Sequence, residues 1–281
     1  MSNTFSSNIV IFTNGNLFSR VILDKFLKKY KSRISMVVIV SGDYYGNKGL
    51  KALFEFSKLT SWIYVFYKIW TIIMIRLLRL GDKSIITSVD QLCNSLYVPV
   101  CFVSDINEKK LFEKIKRLSP EYLVSVSCPQ LIRQKWLNLV EGKGINIHGS
   151  LLPKYGGLAP YFWVLANGEK QTGISVHYLI KGFDKGNILS QAKITIEKGI
   201  SSFNLFLKLC ILGQKILVEA FEKLEMNNLG IEQDLTTFTY YSHPSSSAYL
   251  NLKRKGFSLF NLEDFSIVKT YIKHLTFNHV D

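Results

Sequence analysis

Short apolar runs alternate with stretches of helical periodicity through the first half of the chain, and this alternation restricts the architecture more than any other feature. Residues 8–13 (Asn-Ile-Val-Ile-Phe-Thr), 36–40 (Met-Val-Val-Ile-Val) and 122–126 (Tyr-Leu-Val-Ser-Val) are too short for helices and read as strands buried on both faces. Residues 98–103 and 144–148 are two further strands. Between them, 17–30 carries apolar residues at helical spacing and ends in lysines, 90–96 reads as helical, 107–118 as a charged amphipathic helix and 131–140 as a helix. Parallel neighbours in a sheet need a crossover, which here is a helix. The expected fold class is therefore α/β, with a doubly wound, mostly parallel sheet.

The second half departs from that rhythm. Residues 173–179 and 188–196 read as antiparallel strands around a turn at Asp184, and a helix over 202–225 closes the unit. Beyond residue 227 the expectation is a strand over 236–241, a Ser-capped helix over 244–255 and a last helix over 264–275. The organisation expected is a catalytic domain over 1–226 and a small C-terminal α/β extension over 227–281, with no internal repeat.

A composition of 47% apolar and 20% charged residues suits a folded protein and excludes a disordered one. The formal charge of +14 predicts attraction to phosphates, on RNA, sugar nucleotides or anionic lipid, without choosing among them. Cys93, Cys101, Cys128 and Cys210 are scattered, which fits reduced thiols rather than a disulfide frame or a metal site. Residues 1–8 are polar and uncharged and lack the plan of a signal peptide, so a cytoplasmic location is expected.

Residues 61–80 are strongly apolar and aromatic, yet Lys68, Arg76 and Arg79 interrupt them. Each charge at bilayer depth costs roughly 2.5–3.5 kcal/mol, which argues against a spanning helix. Two readings stay open: a helix partly buried against the domain, and a helix lying on the inner face of a membrane with Trp62, Tyr64 and Trp70 at headgroup level.

The densest polar information lies in residues 145–157. Alternate side chains of a strand share a face, so Asn146 and His148 project together, an amide able to hold an oxyanion beside an imidazole able to shuttle a proton. A structural histidine bonded to backbone is the competing reading. Asp184 lies between Gly182 and Gly186 and reads either as a turn residue or as a carboxylate that orients His148. Ligands in such sheets sit off strand ends, which adds Ser127 and Cys128 to the candidates.

Asn146, His148, Ser150 and the Leu-Leu-Pro ending at Pro153, then Tyr155 and Gly157, the strand ending at His177, and Asp184 with the Ile188-Leu189 pair follow one another in an order that resembles the formyltransferase family over roughly residues 8–225. The resemblance implies a Rossmann-like fold, 10-formyltetrahydrofolate as donor and no metal. It implies a catalytic set of Asn146 for the oxyanion, His148 for protons and Asp184 to orient His148. It also implies a folate site from Ser127, Cys128, Gln130, Leu131 and Ile132 together with Ile180, Gly182 and Phe183. Ser150, Lys154, Tyr155, Tyr161 and Trp163 are the candidate acceptor contacts.

The acceptor amine is less constrained. Residues 13–17 (Thr-Asn-Gly-Asn-Leu) depart from the phosphate loop of glycinamide ribonucleotide enzymes, and the tail beyond 227 reads as too short and helical for the RNA domain of methionyl-tRNA enzymes. Residues 159–164, 61–80 and 240–244 are similar to formyltransferase-like proteins of surface-polysaccharide synthesis, so an amino sugar on a nucleotide or lipid carrier is the preferred acceptor, with tRNA and the ribonucleotide as alternatives and a homodimer compatible with either. Residues 155–157 read Tyr-Gly-Gly where similar proteins often carry Arg in the middle, which bears on the acceptor rather than on the chemistry. A non-catalytic binding module is the reading from a different class; retention of all three polar residues argues against it.

Overall fold

Ile9 and Ile11 pack on one side of the sheet and Val10 and Phe12 on the other, so the period of two that a strand imposes sorts one apolar run into two cores. The computed structural model describes residues 8–40 and 49–277. Its elements are β1 (Ile9–Thr13), α1 (Leu17–Tyr30), β2 (Ile34–Val40), α2 (Gly49–Leu59), α3 (Trp62–Gly81), α4 (Val89–Ser95), β3 (Val100–Val103), α5 (Lys109–Lys116), β4 (Tyr122–Val126), α6 (Gln134–Leu139) and β5 (Gly144–His148). They continue with β6 (Gly156–Gly157), α7 (Pro160–Ala166), β7 (Gln171–Tyr178), β8 (Ile188–Thr195), α8 (Ser202–Glu225), β9 (Tyr240–Tyr241), α9 (Ser246–Arg254) and α10 (Glu263–Phe277). The polar terminus read at 1–8 lies outside the described residues except for Asn8.

Seven strands form one sheet in the order β3-β2-β1-β4-β5-β7-β8. The first five are parallel, and β7 and β8 add to the edge as antiparallel strands. This is the doubly wound, mostly parallel α/β fold expected. The larger core lies between the sheet and α1 and α8, where Phe26, Tyr30, Tyr122 and Phe221 meet edge to face at centroid separations near 5 Å. On the opposite face Phe12 meets Trp136 at 4.9 Å, beside Leu111 and Ile115.

Residues 227–277 lie across the sheet unit. Ile231 bridges to Ile188, β9 pairs with β6, Ser258 bridges to Ser201, and the buried Asp264 carboxylate accepts from Ser201 Oγ at 2.6 Å. The strand expected over 236–241 is confined to Tyr240–Tyr241. Asp234 caps a single 3-10 turn over Leu235–Thr237, taking the backbone that a longer strand would have used.

Residues 61–80 fold as α3, capped by Ser61, whose hydroxyl accepts from Tyr64 N at 3.2 Å. Tyr64, Val65, Tyr67, Thr71, Met74 and Leu78 form its buried face. Lys68 is accommodated by a hydrogen bond to Tyr161 Oη at 3.0 Å and lies 5.1 Å from the ring of Tyr64. No described helix is long and apolar enough to cross a membrane.

Candidate active site

The site forms where parallel pairing gives way to antiparallel. Asn146 and His148 share a face of β5, and the register of β5 with β7 sets His177 directly opposite Asn146. The loop between β7 and β8 then brings Asp184 over this face. Its carboxylate lies 3.7 Å from His148 Nδ1 and 3.5 Å from His177 Nε2, and it accepts from Gly157 N at 2.8 Å. The three residues singled out in the sequence therefore meet, with His177 as a fourth member.

Tautomers follow from the partners. His148 Nε2 is 2.8 Å from the Tyr155 carbonyl oxygen, an acceptor, so Nε2 carries hydrogen and the Nδ1 lone pair faces Asp184. His177 Nδ1 likewise donates to Tyr178 O at 2.9 Å, leaving Nε2 to accept from Asn146 Nδ2 at 3.2 Å. One hydrogen of the Asn146 amide is thereby fixed and the other left for a ligand. Burial alone would raise the Asp184 carboxyl. With the imidazoles protonated, the charge of His148, the hydrogen bond and charge of His177 and the Gly157 N–H outweigh it and hold the group well below the usual carboxylate range.

Backbone geometry at the site is unusual. Ser127, Tyr155, Ala159 and Asp184 all have positive φ without being glycine. Gln233, buried and from the C-terminal segment, donates to the carbonyls of Asp184 at 2.9 Å and Gly186 at 2.6 Å and so pins the loop. Thr239 Oγ1 accepts from Tyr155 N at 2.8 Å, and Gly156 N donates to Thr239 O at 2.9 Å. A side chain at Gly156 would run into the Phe238 ring, 2.8 Å from an added Cβ, so the tail occupies the space that an arginine there would need. Neither Gln233 nor Thr239 stands out by pattern, because a glutamine or threonine in a polar tail carries no periodic signal.

The remaining candidates divide. Leu131, Ile180 and Phe183 are exposed apolar side chains, whereas Cys128 and Ile132 pack against the smaller core. Burial pushes the Cys128 thiol up to about 11, so it is a neutral lining group. Gln130 spends its amide on the loop before α5, accepting from Ile106 N at 2.8 Å and donating to Ser104 O at 2.6 Å. Gly182 lies exposed in the Asp184 loop at positive φ. A recess of about 490 Å³ between α6 and residues 179–181 shares only Ile180 with the candidates and lies near the start of β5.

Two acceptor assignments need correction. Ser150 is fully buried and its hydroxyl donates to Lys154 O at 2.8 Å. Tyr161 is buried in a stack on Phe206 at 4.3 Å, with its hydroxyl bonded to Tyr64 Oη at 2.8 Å. Both polar groups are consumed internally and present no surface to a ligand. Lys154 is exposed. Tyr155 is buried, stacks on Tyr241 at 5.2 Å and donates to Glu169 at 2.6 Å, and half-buried Trp163 donates to Ser242 O at 2.9 Å.

Residues 101–221 match the family model described as Formyl transferase. The methionyl-tRNA formyltransferase of Kosmotoga olearia is 36% identical over 161 residues, covering 57% of this chain and 52% of that protein. The bifunctional polymyxin resistance protein ArnA of Wigglesworthia glossinidia brevipalpis is 29% identical over 218 residues, covering 71% of this chain and 33% of that protein. The chain thus spans about half the length of one relative and a third of the other. Among solved structures, the N-formyltransferase from Helicobacter canadensis, in complex with folinic acid and dTDP-3-aminofucose, has the same fold, with a TM-score of 0.55 at 15% identity over 86% of this chain and 72% of that one. Over residues 101–221, the chain is thus similar to the formyl transferase family.

Proposed function

We propose that this chain transfers a formyl group from 10-formyltetrahydrofolate to the primary amine of an amino sugar carried on a nucleotide or a lipid. The observation that carries the reading is the pairing of the Asn146 amide with the His148 imidazole on β5, under a carboxylate 3.7 Å from His148 Nδ1. When bound, the folate supplies the formyl carbon that the amine attacks. Asn146 donates its free amide hydrogen to the formyl oxygen as negative charge gathers there. His148 Nδ1 takes the proton the amine loses and returns it to the departing folate nitrogen. Asp184 stabilises the imidazolium formed between those events. Leu131, Ile180 and Phe183 offer exposed apolar surface for a flat folate ring, and Ser127, Cys128 and Ile132 complete the proposed folate site.

The amino-sugar acceptor is supported by the aromatic surface of Tyr240 and Phe183 beside the Asp184 loop, 6.3 Å apart between ring centroids and both about half exposed, and by the dTDP-3-aminofucose bound to a protein of this fold. A methionyl-tRNA acceptor is the second reading, favoured by the 36% identity over 161 residues and the charge of +14. The test is to incubate the chain with 10-formyltetrahydrofolate and either nucleotide-linked amino sugars or methionyl-tRNA, following release of tetrahydrofolate. Turnover with an amino sugar that His148→Ala abolishes is the expected result; turnover with methionyl-tRNA alone replaces the acceptor, and full activity of His148→Ala overturns the mechanism.

A further inference from the structure

The outward face of α3 is apolar where a water-facing helix should be polar. Trp62, Ile63, Phe66, Ile72, Ile73, Leu77 and Leu80 are each between 40% and 75% exposed. The positions 62, 66, 73, 77 and 80 recur at helical spacing, so they form one stripe along a helix roughly 30 Å long. The opposite face is committed to the domain through Tyr64, Tyr67, Met74 and Leu78 and through the hydrogen bond of Lys68 to Tyr161 on α7. The apolar stripe is therefore not a core face left open by a short helix. It belongs to a helix anchored along its length, with a second apolar side directed away from the protein.

Charge identifies what covers it. Residues 62–81 contain no Asp or Glu, and Arg76 and Arg79 are exposed along the stripe. Lys83 is exposed just past the helix, where the nearby Asp82 carboxylate lies 3.7 Å from Lys273. Between α3 and α9 the stripe opens into a groove of about 300 Å³, lined by Ile63, Phe66 and Trp70 on one side and by Tyr249 and Lys253 on the other. A second copy of the same face would bring arginines without carboxylates to meet them. An anionic bilayer surface takes both features, with the apolar stripe at the acyl boundary and the basic groups at the phosphates.

We propose that α3 docks this protein onto an anionic phospholipid surface, lying in the plane of the interface with its Trp62–Leu80 stripe inserted. The proposal stands apart from the formyl-transfer reading, since it rests on a face that contains none of the catalytic groups. Flotation with vesicles of phosphatidylcholine alone, or mixed with phosphatidylglycerol, tests it. The full chain is expected to float with the anionic vesicles at least about tenfold better than with neutral ones, and to be released as salt is raised. Phe66→Ser/Ile73→Ser/Leu77→Ser should abolish flotation while retaining the wild-type circular dichroism spectrum. Arg76→Gln/Arg79→Gln should remove the preference for anionic vesicles, and keeps the test decisive if the triple variant folds poorly. No flotation by the wild type, or equal flotation of wild type and variants, overturns the proposal. So does a dimer in sedimentation that the triple variant converts to monomer, because the stripe would then be covered by a second copy.

Discussion

Asn146 Nδ2 lies 3.2 Å from His177 Nε2, across the register that pairs β5 with β7. Because His177 Nδ1 donates to Tyr178 O, Nε2 is the acceptor that holds the Asn146 amide in one orientation. His177→Ala should lower kcat for formyl transfer roughly 10- to 100-fold with little change in KM, since it removes orientation from a charge-stabilising donor and no ligand contact. His177→Gln, whose side-chain oxygen also accepts, should restore part of the loss. A rise in KM with kcat unchanged would place His177 in ligand binding instead.

That relationship also marks how far the sequence could be read. Apolar runs and helical spacing announce β1, β2, β4 and α1, because burial on both faces leaves a pattern in the residues themselves. Asn146 and His148 were legible as a pair for the same reason, the strand period of two. The meeting of Asp184 with them was not, since it depends on a hairpin and on Gln233, 49 residues further on, bonding the loop backbone. Tyr161 and Ser150 misled in the opposite direction. A tyrosine or serine near a catalytic motif reads as a ligand contact until its hydroxyl is seen to have an internal partner, and Tyr161 finds its own 97 residues away in Tyr64.

Acid should expose the depressed Asp184 carboxyl. A carboxylate whose folded pKa lies below the unfolded value of about 3.9 adds stability that is fully present above that value and is lost as pH falls toward the folded one. Asp184→Asn should therefore be less stable than wild type at pH 6, by on the order of 2 kcal/mol, with the gap narrowing below pH 4. Chemical denaturation of both proteins between pH 6 and 3 measures it. A gap independent of pH would mean that the carboxylate is not held by the two imidazoles.

Gly157 carries φ +94°, and an added Cβ would lie 2.3 Å from the Tyr241 carbonyl oxygen. Gly157→Ala must push β6 away from β9 and draw Gly157 N from Asp184, so activity should fall at least about tenfold and stability by about 1–3 kcal/mol. Gly142, at φ +80° with no atom within 4 Å of an added Cβ, supplies the control. Gly142→Ala should cost only the left-handed backbone penalty of roughly 1 kcal/mol and leave turnover intact. Equal effects of the two substitutions on turnover would separate the Gly157–Asp184 bond from catalysis.

Tyr161→Phe tests the burial of that residue directly. The ring keeps its stack on Phe206 at 4.3 Å, and only the hydroxyl that joins Tyr64 and Lys68 is lost. Leaving those two partners half satisfied should cost about 1–2 kcal/mol by denaturant unfolding. Because the hydroxyl faces α3 and not the cleft, KM for the acceptor should stay within about twofold of wild type, the scale below which loss of a direct hydrogen bond is not expected. A large rise in acceptor KM without loss of stability would return Tyr161 to the substrate surface.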